Sequence, residues 1–321
     1  MLFRSLIIGG SNSFPSNYTS SGISIHSSST IKYSGTFDQT IGNQTYGNLI
    51  LSGTGTTKSL STGQSLTVLG NLTIDVATIF NGASNNRNHK VGGNFTNNGT
   101  YTSTGTTNFV EFNGTGIQTI GGTTQTTFGN VRVSNSSGTV QLSNSILLRS
   151  KFLLNNCTFD ISTYTVNHTG GASDSMSLYG TASLRMSGAS NFPLGFNKYF
   201  FDSTSTTEFY GSEQRIPANT YGNLVLSGTG NKTVVGNITI SKTLTINTNT
   251  NFTDSVSSLI ETFRGNIIGN GTFTGFGTTQ FDGNTLLSGV GTWKFGNINI
   301  IGNFNDGGKT LIVREIGRAH V

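Results

Sequence analysis

The strongest constraint on this chain is a phrase that it repeats. Thr45-Tyr46-Gly47-Asn48-Leu49-Ile50-Leu51-Ser52-Gly53-Thr54-Gly55 returns as Thr220-Tyr221-Gly222-Asn223-Leu224-Val225-Leu226-Ser227-Gly228-Thr229-Gly230. Looser copies are Phe128-Gly129-Asn130-Val131-Arg132-Val133-Ser134 and Phe295-Gly296-Asn297-Ile298-Asn299-Ile300. Each copy is an aromatic residue, a Gly-Asn turn and a short run with apolar residues at alternate positions. The aromatic suits a core, Gly and Asn tolerate left-handed backbone geometry, and the alternation is the period of a strand. A turn-plus-strand module that recurs along a chain marks a repeat architecture. A second phrase precedes the first: Tyr33-Ser34-Gly35 leads to Gln39, Phe112-Asn113-Gly114 to Gln118, and Phe209-Tyr210-Gly211 to Gln214. The fourth copy, Phe281-Asp282-Gly283, has Leu286 where Gln is expected.

The spacing of the turn glycines gives the architecture. Gly47, Gly70 and Gly93 stand 23 residues apart, and each precedes Asn and an apolar residue: Asn48-Leu49, Asn71-Leu72, Asn94-Phe95. A period of roughly 20 residues suits one coil of a right-handed parallel β-helix, in which short strands stack directly on one another. Leu49, Leu72 and Phe95 are then expected in adjacent, parallel, in-register strands facing one core. Asn residues are expected to chain side-chain hydrogen bonds at the corners. About fourteen coils at the ordinary strand spacing would make a rod on the order of 65 Å long. Expected strands include Leu49–Leu51, Leu72–Ile74, Ala77–Phe80, Val131–Val133, Leu224–Leu226 and Thr278–Phe281. No segment shows helical periodicity. The alternative is a string of tandem β-sandwiches. It is disfavoured because hairpin dipeptides are rare, Asn113-Gly114 and Asn270-Gly271 being the main exceptions.

Composition narrows the function classes. Gly supplies 44 of 321 residues, only 10% are charged, and Phe and Tyr contribute 22 and 9. Good helix formers are scarce, and the aromatics supply the apolar surface that a disordered polar chain lacks. The net charge of +5 comes from scattered single charges, so no nucleic-acid partner is expected. No run is long and apolar enough for a membrane span, and a lone Cys157 forms no internal disulfide. Residues 1–30 read as an irregular or incomplete N-terminal coil, and residues 31–314 as a single β-solenoid with four variable repeat units. Met1–Ile8 is too short for a signal peptide. The tail, residues 315–321, resembles the translation of a sequencing-adapter read-through and is set aside from fold reasoning.

Phe112-Asn113-Gly114-Thr115-Gly116-Ile117-Gln118-Thr119-Ile120, followed by Thr127-Phe128-Gly129-Asn130-Val131, resembles the β-strand-repeat regions of large bacterial surface proteins. Asn94-Phe95-Thr96-Asn97-Asn98-Gly99-Thr100-Tyr101 is similar to segments of the adhesin-like secreted proteins of Bacteroidetes. The resemblance covers roughly residues 31–313. It implies a structural or adhesive segment of an exported, extracellular or cell-surface protein, whose anchoring domains lie elsewhere. Surface glycans are the implied partners, and open solenoid ends favour edge-to-edge self-association.

The chemistry-bearing residues point the same way. Acidic residues are isolated along the chain. The densest cluster, Glu208 and Glu213 with Arg215, is expected to be solvated surface. No carboxylate pair of the kind glycoside hydrolysis needs is evident. His26, His89 and His168 lack metal spacing and are expected at surface or turn positions. Asn303-Phe304-Asn305-Asp306-Gly307-Gly308 reads as an Asn/Gly turn, since it lacks the ordered acids of a calcium loop. Trp293, two residues before Phe295, is expected in the core. No catalytic, cofactor or metal site is assigned. The alternatives are a carbohydrate-active β-helix enzyme, marked by carboxylates on one face, and an ice- or carbohydrate-binding solenoid, marked by a regular Thr array.

Overall fold

The computed structural model describes residues 4–14, 23–61, 63–82, 88–102, 108–171 and 173–313. These residues are all-β, with parallel strands stacked as a β-solenoid of about 14 turns of about 21 residues each. The tail 315–321 lies outside the described residues.

The chain divides into two compact units. The first comprises Met1–Phe159, Tyr164–Met176 and Pro193–Lys198; the second comprises Asp160–Thr163, Ser177–Phe192 and Tyr199–Val321. In each unit a turn contributes up to three short strands to three different sheets. In the first unit one sheet stacks Ser5–Ile8, Thr30–Tyr33, Asn48–Leu51, Leu72–Ile74, Phe95–Asn97, Gln118–Gly121 and Thr139–Leu142. In the second unit the equivalent stack is Ser183–Met186, Thr206–Phe209, Asn223–Leu226, Leu244–Ile246, Ile267–Gly269 and Asn284–Ser288. Leu49 pairs with Leu72, and Leu72 with Phe95, in register and in parallel. All three side chains are buried, each contributing ~1.5–3 kcal/mol of apolar burial. The expected stacking is therefore found. Within residues 1–30, Ser5–Ile8 pairs in parallel with Thr30–Tyr33.

The corners depend on glycine for a reason other than backbone handedness. The anchors Gly47, Gly70, Gly93 and Gly222 are not among the residues with positive φ. What they lack is room. A Cβ on Gly93 would lie 2.5 Å from Asn71 Oδ1 and from the carbonyl carbon of Gly70, and one on Gly222 would lie 2.2 Å from the Asp202 carbonyl. The preceding turn passes so close that only a residue without a side chain fits. The neighbouring Asn carries the next link. Asn48 Oδ1 accepts the Asn71 N–H at 2.9 Å, Asn71 Oδ1 the Asn94 N–H at 2.8 Å, and Asn94 Oδ1 the Thr119 N–H at 2.8 Å. This ladder runs from side chain to backbone, whereas the expected side-chain-to-side-chain links occur in the second unit, where Asn251 Nδ2 donates to Asn231 Oδ1 at 3.1 Å and Asn303 Nδ2 to Asn284 Oδ1 at 2.8 Å. Asn48, Asn71 and Asn94 each satisfy an amide that the turn leaves outside the sheet.

Two further expectations change. Asn113-Gly114 and Asn270-Gly271 are corners between parallel strands: a Cβ on Gly114 would lie 2.1 Å from Gly92 O, and one on Gly271 2.1 Å from Thr250 O. The strand expected over Ala77–Phe80 is Ile79–Asn81, because Ala77, at φ 58°, belongs to the preceding turn.

A close-packed corner and an open one are distinguishable by substitution. Gly93→Ala is expected to lower stability by about 1–3 kcal/mol, the cost of overpacking against backbone. Gly116→Ala, where a Cβ meets nothing within 4 Å, is expected to stay within about 0.5 kcal/mol of the parent. Urea unfolding midpoints of the two variants check this.

Candidate functional site

The structure separates the residues that the sequence grouped. Glu213 and Arg215 are exposed. Glu213 Oε1 accepts the Asn231 N–H at 3.1 Å, capping the next turn. Glu208 is half-buried and turned toward Arg185, whose Nε donates to Glu208 Oε2 at 2.7 Å and whose Nη1 lies 3.4 Å from Asp160 Oδ2. Tyr210 donates to Asp160 Oδ1 at 2.8 Å, its ring lies 4.9 Å beneath the Arg185 guanidinium, and Ser227 donates to Glu208 Oε1 at 2.7 Å. Burial, then its bond to Asp160, raises the Tyr210 pKa. Asp160 and Glu208 thus flank one guanidinium in a closed network, and Arg185 is positioned against both acids. Such an arrangement engages both acids with one cation and with neighbouring hydroxyls.

Two histidine expectations are corrected. His89 is buried: its Nδ1 accepts the Leu66 N–H at 3.0 Å and its Nε2 donates to Gly82 O at 3.1 Å. Burial lowers its pKa against the pull of Gly82 O, so it is a neutral backbone bridge. The His168 side chain is fully buried, with Nε2 3.0 Å from Asp174 Oδ2. Gly170 N–H donates to its Nδ1 at 3.1 Å, and Phe196 covers the ring at 4.4 Å. His26 is exposed, as expected. Trp293 is buried against Phe273, also as expected. Asn305 and Asp306 accept the Gly307 and Gly308 amides at 2.9 Å, an ordinary turn. Among the described residues, no three His, Cys, Asp or Glu are placed to hold a metal, and no helix is long and apolar enough to cross a membrane.

The repeated Gln has a structural reason. Gln118 Oε1 accepts the Gly114 N–H at 2.8 Å, while its Nε2 donates to Val91 O and Gly93 O in the turn before. Gln39 and Gln214 do the same at Gly35 and Gly211. Sequence reasoning missed what lies over two of these glutamines. Lys58 is in register with Gln39, and Lys232 with Gln214, and both lysines are buried. Lys58 Nζ donates to Gly35 O and Phe37 O; Lys232 Nζ donates to Ser212 O, Thr229 O and Gly211 O. Burial lowers both pKa values, Lys232 to about 8, with Asp38 and Glu213 opposing. The signal was present: each Lys follows a Ser-Gly-Thr-Gly in one of the two close copies.

A second missed pair lies inside the second unit. Asp254 and Glu261 are both fully buried. Asp254 accepts the Gly277 N–H at 2.8 Å and the Phe276 N–H. Burial, then the Asp254 charge, pushes Glu261 up to about 9. Glu261 is therefore the member of the pair that burial holds protonated. On the outer side of the same strand, Thr262 joins a column in which Thr220 pairs with Thr239, Thr239 with Thr262, and Thr262 with Gln280. This column is the floor of a groove of about 670 Å³, with Tyr199 and Asn219 among its walls, and no residue lining it is charged.

Comparison with family models, with curated proteins and with solved structures finds no match to this chain.

The Glu261 shift sets a pH dependence. The folded protein holds this proton up to about pH 9, whereas an unfolded chain releases it near 4.5. The folded pKa is the higher one, so this group's contribution is complete below 4.5 and is lost as pH rises toward 9, at up to ~1.4 kcal/mol per pH unit. Glu261→Gln keeps the shape without the titration. Its urea midpoint is expected to depend less on pH and to exceed the parent's at about pH 8. Equal slopes for the two proteins would remove the buried-acid account.

Proposed function

We propose that this chain is a non-catalytic structural and adhesive solenoid segment of a secreted or cell-surface bacterial repeat protein. The observation that carries the reading is the fate of the carboxylates. Asp160 and Glu208 are tied to Arg185, Asp254 and Glu261 face each other in the core, and Glu213 caps a backbone amide. None of these is set beside a groove for acid–base work on a bound substrate. One outer column is instead Thr220, Thr239, Thr262 and Gln280, which suits many weak polar contacts multiplied by repetition along a longer protein. Surface glycans are the partners such a face fits.

The test presents the immobilised chain to plant and algal polysaccharides, measuring retention together with released reducing ends. Retention without released ends is expected, and single substitutions Glu208→Gln, Glu213→Gln or Arg215→Ala should leave retention within about twofold, as for rim positions. Turnover that disappears on replacing any of these three residues would make the protein an enzyme. Absence of retention on every surface would end the adhesive reading.

A further inference from the structure

We infer that the groove on the second unit is a binding site for an uncharged glycan strand lying along the stacking direction. The inference rests on the adhesive reading and assigns it a place and a ligand class. The floor repeats one hydrogen-bonding side chain per turn: Thr220, Thr239, Thr262 and Gln280 occupy successive register positions. Neighbouring strands stand about 4.8 Å apart, so the donors recur at a spacing close to the length of one pyranose unit. The hydroxyls of the three threonines enter no hydrogen bond among the described residues. Each keeps one donor and two acceptor positions for a ligand.

Three further observations select the ligand. The groove lining has no Lys, Arg, Asp or Glu, so nothing there compensates the charge of a uronate or sulfate. Tyr199, held by Phe192 at 6.0 Å and Phe201 at 6.2 Å, stands at one end of the groove as a half-buried aromatic. A ring with one apolar face and a polar rim is the surface that pyranose rings stack against. A volume of about 670 Å³ is in the range of small-molecule sites and accommodates a short run of sugar units, not a single ion. A protein strand is a weaker fit, because the floor offers side chains and not an open backbone edge for pairing.

The probes are arabinoxylan and glucomannan as neutral polymers and polygalacturonate as the anionic one, measured by affinity electrophoresis and calorimetry on the whole chain. The neutral polymers are expected to bind and polygalacturonate to bind at least about tenfold more weakly. Thr239→Val and Thr262→Val keep the β-branched shape and remove one hydroxyl each. Each is expected to weaken binding about three- to tenfold, the loss of one neutral hydrogen bond. Thr245→Val, on another sheet of the same unit, is the control and is expected to change nothing. Unchanged urea midpoints in all three variants separate lost contact from lost fold. The inference is overturned if neither neutral polymer binds, if polygalacturonate binds as tightly, or if the groove variants bind like the parent. In that last case a retained chain would still leave the adhesive reading standing, with its contacts on another face.

Discussion

The structure depends on how closely one turn lies on the next. Parallel in-register stacking brings the backbone of each corner against the corner before it, and the distance leaves no space for a Cβ. At Gly93 the obstacle is the Gly70 backbone and the Asn71 side chain; at Gly222 it is the Asp202 carbonyl. Everything else follows from that contact. The Asn beside each Gly reaches over the junction and accepts an amide that the sheet does not use, as Asn48, Asn71 and Asn94 do in succession. The inward residues then superpose, so that Leu49, Leu72 and Phe95 form one continuous apolar column.

A solenoid of this kind must also dispose of polar groups trapped at its bends, and this chain does so with long side chains from inside. Gln39, Gln118 and Gln214 each bridge an amide in their own turn to carbonyls in the previous one. Lys58 and Lys232 extend the device by one turn, burying an ammonium among carbonyl oxygens. A buried charge is tolerable where several acceptors surround it. Asp254 and Glu261 meet the same problem by protonation of Glu261. Outward positions carry Thr and Gln in the column of Thr220, Thr239, Thr262 and Gln280, and charged side chains elsewhere, as in the register of Lys90, Glu111 and Arg132.

The fold was legible because its determinants are local and periodic. The 23-residue recurrence of Gly-Asn-apolar places one turn on another, and alternation in Asn48–Leu51 and Asn223–Leu226 fixes which face is buried. The short strands between the anchors, such as Gln39–Ile41 and His89–Val91, were harder to read. Two or three residues carry too little alternation to show a period. The glycines were recognised but attributed to turn geometry, because sequence reveals a missing side chain without revealing what crowds it. The inner polar residues escaped for a related reason. Lys58, Lys232, Glu261, His89 and His168 are types that composition assigns to the surface, and only stacking brings the acceptors that allow burial. The groove is still less legible. Thr220, Thr239, Thr262 and Gln280 sit at unequal intervals in the chain and become a column only through register.

The central claim is that neighbouring turns lie in direct parallel register, and thiol cross-linking measures it. Thr73 and Thr96 are register partners on adjacent strands, whereas Ile50 and Thr96 are separated by the intervening strand. Adjacent parallel strands stand about 4.8 Å apart, within the Cα range of a disulfide, and two spacings exceed that range. The native Cys157 is buried, and burial pushes its thiol up to about 12, so it does not compete. Oxidation of the Thr73→Cys/Thr96→Cys protein is expected to give an intramolecular disulfide in high yield, with no such bond in Ile50→Cys/Thr96→Cys. Cross-linking of the second pair as efficient as that of the first, or failure of the first in a folded protein, would contradict the stacked register on which the rest of the structure depends.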